Sequence, residues 1–159
     1  MCFVLDACSF HRFFNPLSND FYDFEPLHDW LYKKNGTKLV YGGTTYIKEI
    51  EHLKKYRGYL VELSKISKFV QIEKKLVDEE SDKIRAAVNN SDFDDPHIIA
   101  LLAVSGCLLF ASHDTRADKF VKRRDLYPKN THKRSIYRKR QHSDLLTADK
   151  IVNLQNIKK

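Results

Sequence analysis

The chain has 159 residues, of which 42% are hydrophobic and 31% are charged, and this composition is typical of one folded domain spanning residues 1–159. Its three cysteines are an odd number without C-x-x-C spacing, which argues against a disulfide framework and a zinc site and indicates a reducing, cytoplasmic compartment. The N-terminus lacks the pattern of a signal peptide, and the apolar stretch 98–111 is interrupted and too short to span a bilayer, so we expect a soluble protein with no membrane partner.

The net charge of +7 is concentrated in one part of the chain. Residues 122–140 hold nine Lys or Arg and one acid, whereas the remaining residues sum to about −1. A near-neutral body with one basic segment indicates a polyanion partner, because Lys and Arg that contact phosphates release condensed counterions. A solvated basic tail is the alternative interpretation. The candidate phosphate contacts are Arg12, Lys122, Arg123, Arg124, Lys133, Arg134, Arg138, Lys139 and Arg140.

The first part of the chain predicts a strand followed by helices. Residues Cys2–Leu5 are strand formers and end at Asp6, which places a carboxylate at the carboxyl end of a buried strand. A short helix is predicted over 9–16, with its phenylalanines in the core. A second helix is predicted over 25–34, with Pro26 at its first position, where the missing N–H costs nothing.

The middle of the chain continues this alternation. Residues Lys38–Tyr41 predict a second strand, and a glycine turn with a threonine cap leads into a long helix over 44–66, interrupted only around 57–58. A third strand is predicted over 68–72. An amphipathic helix is predicted over 73–90, with its charged side exposed to solvent.

The most apolar helix of the chain is predicted over Pro96–Ser105. Pro96 suits its first position, so that Asp94 or Asp95 is the N-cap, and Gly106 ends it. A strand buried on both faces is predicted over 107–111. A final strand at 135–138 and a terminal helix at 147–154 complete the pattern, which predicts a three-layer α/β/α domain with a mainly parallel central sheet.

Carboxylates are predicted to meet at one edge of this sheet. Asp6 and Asp114 each follow a buried strand, and the carboxyl ends of parallel strands are where open sheets bind ligands. Asp95 begins the buried helix, with Asp94 beside it. Taken singly, each acid is explained by a turn or a helix cap, but together they need a cation between them, and Mg²⁺ or Mn²⁺ suits such oxygen ligands. With the basic segment, this combination points to phosphodiester hydrolysis.

A fourth carboxylate is expected from the helix that follows Gly43, where Glu49 and Glu51 compete. Glu51 has lysines three and four residues later, the spacing of an exposed ion pair. Glu49 has His52 and Leu53 at those positions and therefore lies on a less solvated face. We prefer Glu49.

These motifs resemble those of the PIN-domain ribonucleases. The resembling motifs are F-V-L-D ending at Asp6, Y-I-K-E-I around Glu49, D-x-x-I-x-A beginning at Asp95, and S-x-D ending at Asp114. The resemblance covers about residues 2–121, and the basic segment 122–159 lies outside it. It implies that these four acids bind Mg²⁺ or Mn²⁺ and that Ser112 orients the site. The implied activity is endoribonucleolytic and leaves 5′-phosphate and 3′-hydroxyl ends.

The chain departs from this family pattern in two places. The polar residue usual two positions after the first aspartate is replaced by Cys8, so Ser9 is the candidate support for Asp6. The further acid usual after the last motif is represented by Asp118, four residues beyond Asp114. We include Asp118, and Asp94 next to Asp95, as additional metal ligands.

Three functions are weighed for this sequence. The first is a metal-dependent ribonuclease, whose single-domain length suggests the toxin of a toxin–antitoxin pair like the VapC-type proteins. Its expected partners are RNA, a protein antitoxin or inhibitor, and a second copy of the chain. The second is a non-catalytic RNA-binding module with a PIN-like fold. The third is another α/β enzyme such as a phosphatase. Against it, Asp6-Ala7-Cys8 at the end of the first strand is not a D-x-D motif, and the sequence contains no G-x-x-x-x-G-K-[ST] or G-x-S-x-G.

Overall fold

One parallel sheet forms the centre of the molecule in the computed structural model, which describes residues 1–88, 90, 93–129, 131–147 and 157. Within these residues the sheet has five strands in the order β3-β2-β1-β4-β5, and every pairing is parallel. The strands are β1 (Cys2–Leu5), β2 (Lys38–Tyr41), β3 (Phe69–Gln71), β4 (Leu109–Ala111) and β5 (Ser135–Tyr137). The predicted three-layer α/β/α architecture is confirmed.

Helices flank the sheet on both sides. They are α1 (Phe10–Phe14), α2 (Phe21–Lys33), α3 (Thr44–His52), α4 (Arg57–Lys65), α5 (Lys74–Ala87), α6 (Pro96–Ser105) and α7 (Asp118–Val121). Short 3-10 turns occur at Ala7–Ser9, Lys54–Tyr56, Arg124–Leu126 and Arg140–Leu145. Helix α6 is the most buried of these elements and ends at Gly106 in the left-handed conformation, as predicted. Among the described residues, no helix combines the length and apolar character needed to cross a bilayer.

The strand order contains a switch point between β1 and β4. From β1 the sheet grows through β2 to β3, and the chain then returns to add β4 and β5 on the other side of β1. Every residue of β1 is fully buried, because this strand has neighbours on both sides and helices on both faces. The carboxyl ends of β1 and β4 therefore border the crevice in which sheets of this kind bind ligands.

The prediction that the second helix begins at Pro26 is wrong. Helix α2 begins at Phe21, so that Pro26 lies inside it. Proline has no N–H to donate to the carbonyl of Tyr22, four residues earlier. Arg140 supplies the missing donor, since its Nε lies 3.2 Å from that carbonyl oxygen. A contact between two residues more than a hundred positions apart in the sequence thus permits a helix that the local sequence disfavours.

The predicted helix over 44–66 is divided in two. Helix α3 ends at His52 and α4 begins at Arg57, with the break at Leu53 rather than at 57–58. The break allows Tyr56 to be buried against the rings of Phe10 and Phe14 of α1. Packing of one large aromatic side chain therefore outweighs the continuity of the helical pattern.

The predicted threonine cap of this helix is also wrong. Gly43 occupies the N-cap position, and Thr44 is the first helical residue. The Asp78 carboxylate of α5 accepts hydrogen bonds from both the backbone N–H and the hydroxyl of Thr44, each at 2.6 Å. An acid from a neighbouring helix thus satisfies the first turn of α3.

The other predicted elements agree with the structure to within a few residues at their ends. The three phenylalanines predicted in the core, Phe10, Phe13 and Phe14, are buried. All three cysteines are free thiols. The predicted terminal helix at 147–154 falls, except for its first residue, outside the described residues.

Candidate functional site

Asp6 and Asp114 lie beside each other at the switch point of the sheet. Leu5 and Ala111 are paired at the ends of β1 and β4, and the N–H of Asp6 donates to the Ala111 carbonyl at 2.8 Å. The buried Ser112 hydroxyl donates to Asp6 Oδ2 at 2.6 Å and accepts the backbone N–H of Asp114 at 3.0 Å. The Ser112 hydroxyl therefore joins the two loops that carry Asp6 and Asp114.

Ser9 supports the loop of Asp114 rather than the carboxylate of Asp6. Its buried hydroxyl oxygen accepts the backbone N–H of His113 at 3.0 Å and lies 2.9 Å from His113 Nδ1. The tautomer of the His113 ring sets which of these two atoms is the donor. Burial, followed by the charge of Arg12, lowers the pKa of His113, which favours the neutral ring.

Cys8 occupies the turn directly after Asp6. Its backbone N–H donates to Asp6 Oδ1 at 3.3 Å. Partial burial of the sulfur and the negative charge of Asp6 raise the pKa of the Cys8 thiol to about 12. A thiol with this pKa stays protonated at neutral pH, which argues against a thiolate nucleophile at this position.

Glu49 and Asp95 reach the same region from α3 and from the start of α6. His97 is 4% exposed, and its Nε2 lies 3.2 Å from Glu49 Oε1. Burial raises the pKa of Asp95, and the negative charges of Asp6 and Glu49 raise it further, against the opposing effects of His97 and Arg116. The acids predicted from three separate motifs therefore interact electrostatically.

The structure bears on two alternatives left open by the sequence, namely the helix-cap explanation of Asp95 and the choice between Glu49 and Glu51. Asp95 occupies the N-cap of α6, yet its carboxylate makes no capping hydrogen bond to the first turn, so helix capping does not account for it. Glu51 is exposed and lines a separate groove of about 660 Å³ together with Lys54 and Arg57. Glu49 is the glutamate that faces the other acids.

Tyr46 is a member of this region that the sequence reasoning did not identify. It is fully buried, and its hydroxyl donates a short hydrogen bond to the carbonyl of Leu5, the last residue of β1. Burial, followed by the charges of Asp6 and Glu49, raises the pKa of its hydroxyl. Its position three residues before Glu49 on α3 is the sequence signal for it, because that spacing puts both on one helix face. Tyr46 holds Glu49 close to the end of β1.

Arg116 is the second residue that the sequence reasoning missed. Its Nε and Nη2 each lie 2.8 Å from Asp114 Oδ2, and its backbone N–H donates to Asp114 Oδ1 at 2.9 Å. These hydrogen bonds lower the pKa of Asp114. Arg116 also lies 3.8 Å from a carboxylate oxygen of Asp94, although its own side chain is 73% exposed. Arg116 thus contacts two of the predicted ligands, Asp114 and Asp94, through an exposed guanidinium group.

The carboxylate of Asp118 is bound by Arg138. Arg138 pairs with its carboxylate at 2.6 Å and also donates to the backbone carbonyl of Asp114 at 2.8 Å. Asp118 and Arg138 thus stabilise the loop that carries Asp114. Asp94 is exposed, and Arg116 is its contact to the rest of the cluster.

Carboxylate oxygens are the donors that Mg²⁺ and Mn²⁺ prefer, so the chemistry of Asp6, Glu49, Asp95 and Asp114 fits these ions. Over the described ranges of the chain, however, no three His, Cys, Asp or Glu side chains form a group positioned to hold a metal ion. Protein groups already contact two of these acids, because the Arg116 guanidinium is bonded to Asp114 and His97 Nε2 lies within hydrogen-bond distance of Glu49. A metal ion bound by Asp114 Oδ2 would compete with Arg116 for this oxygen.

We expect Arg116→Gln to tighten Mn²⁺ binding severalfold, because Arg116 competes with the ion for Asp114. Isothermal titration of the wild-type and variant proteins with Mn²⁺ measures this effect. Arg123→Gln is the matched control, since Arg123 pairs with Asp125 away from the cluster. Weaker Mn²⁺ binding by the Arg116 variant would contradict the competition.

The predicted phosphate contacts fall into two groups. In the first group the guanidinium groups are paired with acids or buried: Arg12 pairs with Asp20, Arg123 with Asp125, Arg138 with Asp118 and Arg140 with Glu25, and Arg134 is 3% exposed. The second group is exposed and forms no ion pair with the described residues. It comprises Lys122, Arg124, Lys133 and Lys139.

Comparison of the chain with family models, curated proteins and solved structures gave no match.

Proposed function

We propose that this protein is a Mg²⁺- or Mn²⁺-dependent endoribonuclease of the PIN-domain type, with Asp6, Glu49, Asp95 and Asp114 as the metal-binding acids. The observation that carries the proposal is the Ser112 hydroxyl, which links the loops of Asp6 and Asp114 at the switch point of the sheet. A simple turn does not need two acids from distant parts of the chain joined in this way. The carboxyl edge of an open sheet is also where substrates bind.

Each side chain has a defined task in this proposal. When bound, the ion would supply Lewis-acid activation of the phosphodiester and of the attacking water. Ser112 orients Asp6, and Tyr46 keeps Glu49 near β1. Arg116 is exposed next to Asp114 and, once displaced, is available to contact a substrate phosphate through its guanidinium group.

The exposed cations supply the contacts with the RNA backbone. Lys122, Arg124, Lys133 and Lys139 leave their charge uncompensated by the described residues, which favours contact with a polyanion. As a toxin of a toxin–antitoxin pair in the cytoplasm, the protein would be held inactive by a protein antitoxin.

To test the proposal, mixed RNA is incubated with the protein and Mn²⁺ in the presence and absence of EDTA. The Asp114→Asn variant is incubated in parallel. We expect cleavage by the wild-type protein in Mn²⁺ alone, and loss of cleavage in EDTA and in the variant, because Asp114 is a proposed ligand. Equal cleavage in every sample would reveal a contaminating nuclease and overturn the proposal.

A non-catalytic RNA-binding module is the second candidate. It is favoured by the bonding of Asp114 to Arg116, which neutralises one of the acids without a metal ion. This candidate predicts salt-sensitive RNA binding that Asp114→Asn leaves unchanged, together with no cleavage in Mn²⁺.

A further inference from the structure

A basic cavity of about 420 Å³ lies at the opposite edge of the sheet from the acidic cluster. Residues 131–134 of its lining directly precede β5, whose first residue, Ser135, pairs with Leu109 at the start of β4. The cavity is therefore near the amino ends of these strands, whereas Asp114 follows the carboxyl end of β4. The Lys, Arg and His residues in its lining are Lys122, Arg124, Lys129, His132, Lys133 and Arg134.

The charged side chains among the described residues of this lining are all basic. None of the described residues that line it is acidic. Lys122, Arg124, Lys129 and Lys133 are exposed, and none of them forms an ion pair within the described part of the chain. Several cations converging on one concave surface produce a positive potential that concentrates anions.

Arg134 adds a buried guanidinium to this lining. It is 3% exposed, and its hydrogen bonds go to neutral oxygens: the Thr131 hydroxyl at 2.7 Å and the carbonyls of His132 and Leu102 at 3.0 and 3.4 Å. The guanidinium carbon lies 3.8 Å from the centre of the Tyr127 ring. Among the described residues, no acceptor pairs with its buried Nε. A buried charge without a counter-ion is costly, and an anion in the adjoining cavity would compensate it.

We propose that this cavity binds the phosphate monoester of a nucleotide. Several cations without a counter-acid suit a dianion better than the single charge of an internal phosphodiester. The volume lies in the range of about 300–1,000 Å³ found for small-ligand sites, and a phosphate group alone would fill only a small part of it. The exposed Arg124 and His132 offer planar groups on which a base stacks.

This site shares Lys122, Arg124 and Lys133 with the proposed RNA-backbone contacts, but it does not depend on metal-dependent cleavage, so its test is performed in EDTA. A phosphate monoester can come from two sources, a free mononucleotide or the 5′ end of an oligonucleotide. Binding of a short oligoribonucleotide with a 5′-phosphate is compared with binding of the same sequence with a 5′-hydroxyl, by fluorescence anisotropy at constant salt. AMP and adenosine are compared in the same way by competition.

We expect the phosphate-bearing form of at least one pair to bind about tenfold more tightly than its phosphate-free counterpart. The double variant Lys122→Gln, Lys133→Gln is expected to remove this preference. The matched control Lys65→Gln, Lys74→Gln removes the same charge from exposed positions outside the cavity and is expected to retain it.

A preference seen with AMP identifies the free nucleotide as the ligand, and a preference seen only with the oligonucleotide identifies a chain end. The proposal is overturned if neither phosphate form is preferred by the wild-type protein, or if both double variants lose the preference equally. Asp114→Asn is expected to leave the preference unchanged, so failure of this site and failure of the nuclease proposal are distinguishable.

Discussion

Glu49→Gln is expected to lower Mn²⁺-dependent RNA cleavage by about a hundredfold, whereas Glu51→Gln leaves it unchanged. The two glutamates lie two residues apart on α3, but Glu49 faces the acidic cluster through His97 and Glu51 faces the groove beside Lys54. Glutamine keeps the size of the side chain and removes the charge that a divalent cation requires.

Single-turnover cleavage over a series of Mn²⁺ concentrations measures both variants. If Glu49 binds the ion, its variant needs more Mn²⁺ to reach half of its maximal rate, and Glu51→Gln gives the wild-type curve. A larger loss in the Glu51 variant would contradict the assignment of Glu49 as a metal-binding acid.

Gly43→Ala is expected to destabilise the protein by about 3 kcal/mol or more. Gly43 has φ 76° and ψ 153°, a region of backbone conformation that is essentially restricted to glycine. An added Cβ would also lie 2.7 Å from Cγ1 of Val77 on α5, which is closer than two carbon atoms can approach. This residue connects β2 to α3 and thus positions the helix that carries Glu49.

Gly36→Ala is the matched control for this prediction. Gly36 also has φ 76°, but an added Cβ there meets no described atom within 4 Å, so we expect a loss of about 1 kcal/mol from backbone strain alone. Urea unfolding of both variants gives the two free energies. Equal losses would show that packing against Val77 contributes nothing.

Local sequence patterns were sufficient to predict the fold class and the placement of the acids at the ends of secondary-structure elements. The apolar run Cys2–Leu5 and the capped, nearly uniformly apolar Pro96–Ser105 predict their elements because burial dictates their composition. Asp6 and Asp114 were predicted at strand ends for the same reason. Parallel strands then place their carboxyl ends at one edge, so the proximity of these two acids followed without coordinates.

Those local patterns did not predict contacts between residues that are far apart in the chain. The continuation of α2 through Pro26 depends on Arg140, and the first turn of α3 depends on Asp78. Arg116 showed no sign in the sequence that it would bond to Asp114, and a count of basic residues did not distinguish the buried Arg134 from its exposed neighbours.

The sequence by itself determined which segments are buried, and therefore the alternation of strands and helices and the acids that end the strands. Periodicity reports only whether a side chain faces the core or the solvent. The tertiary structure alone decided which polar side chains meet: Asp78 with Thr44, His97 with Glu49, and Arg116 with Asp114. Such pairs depend on the distance between atoms far apart in the chain, and that distance is set only when the layers pack.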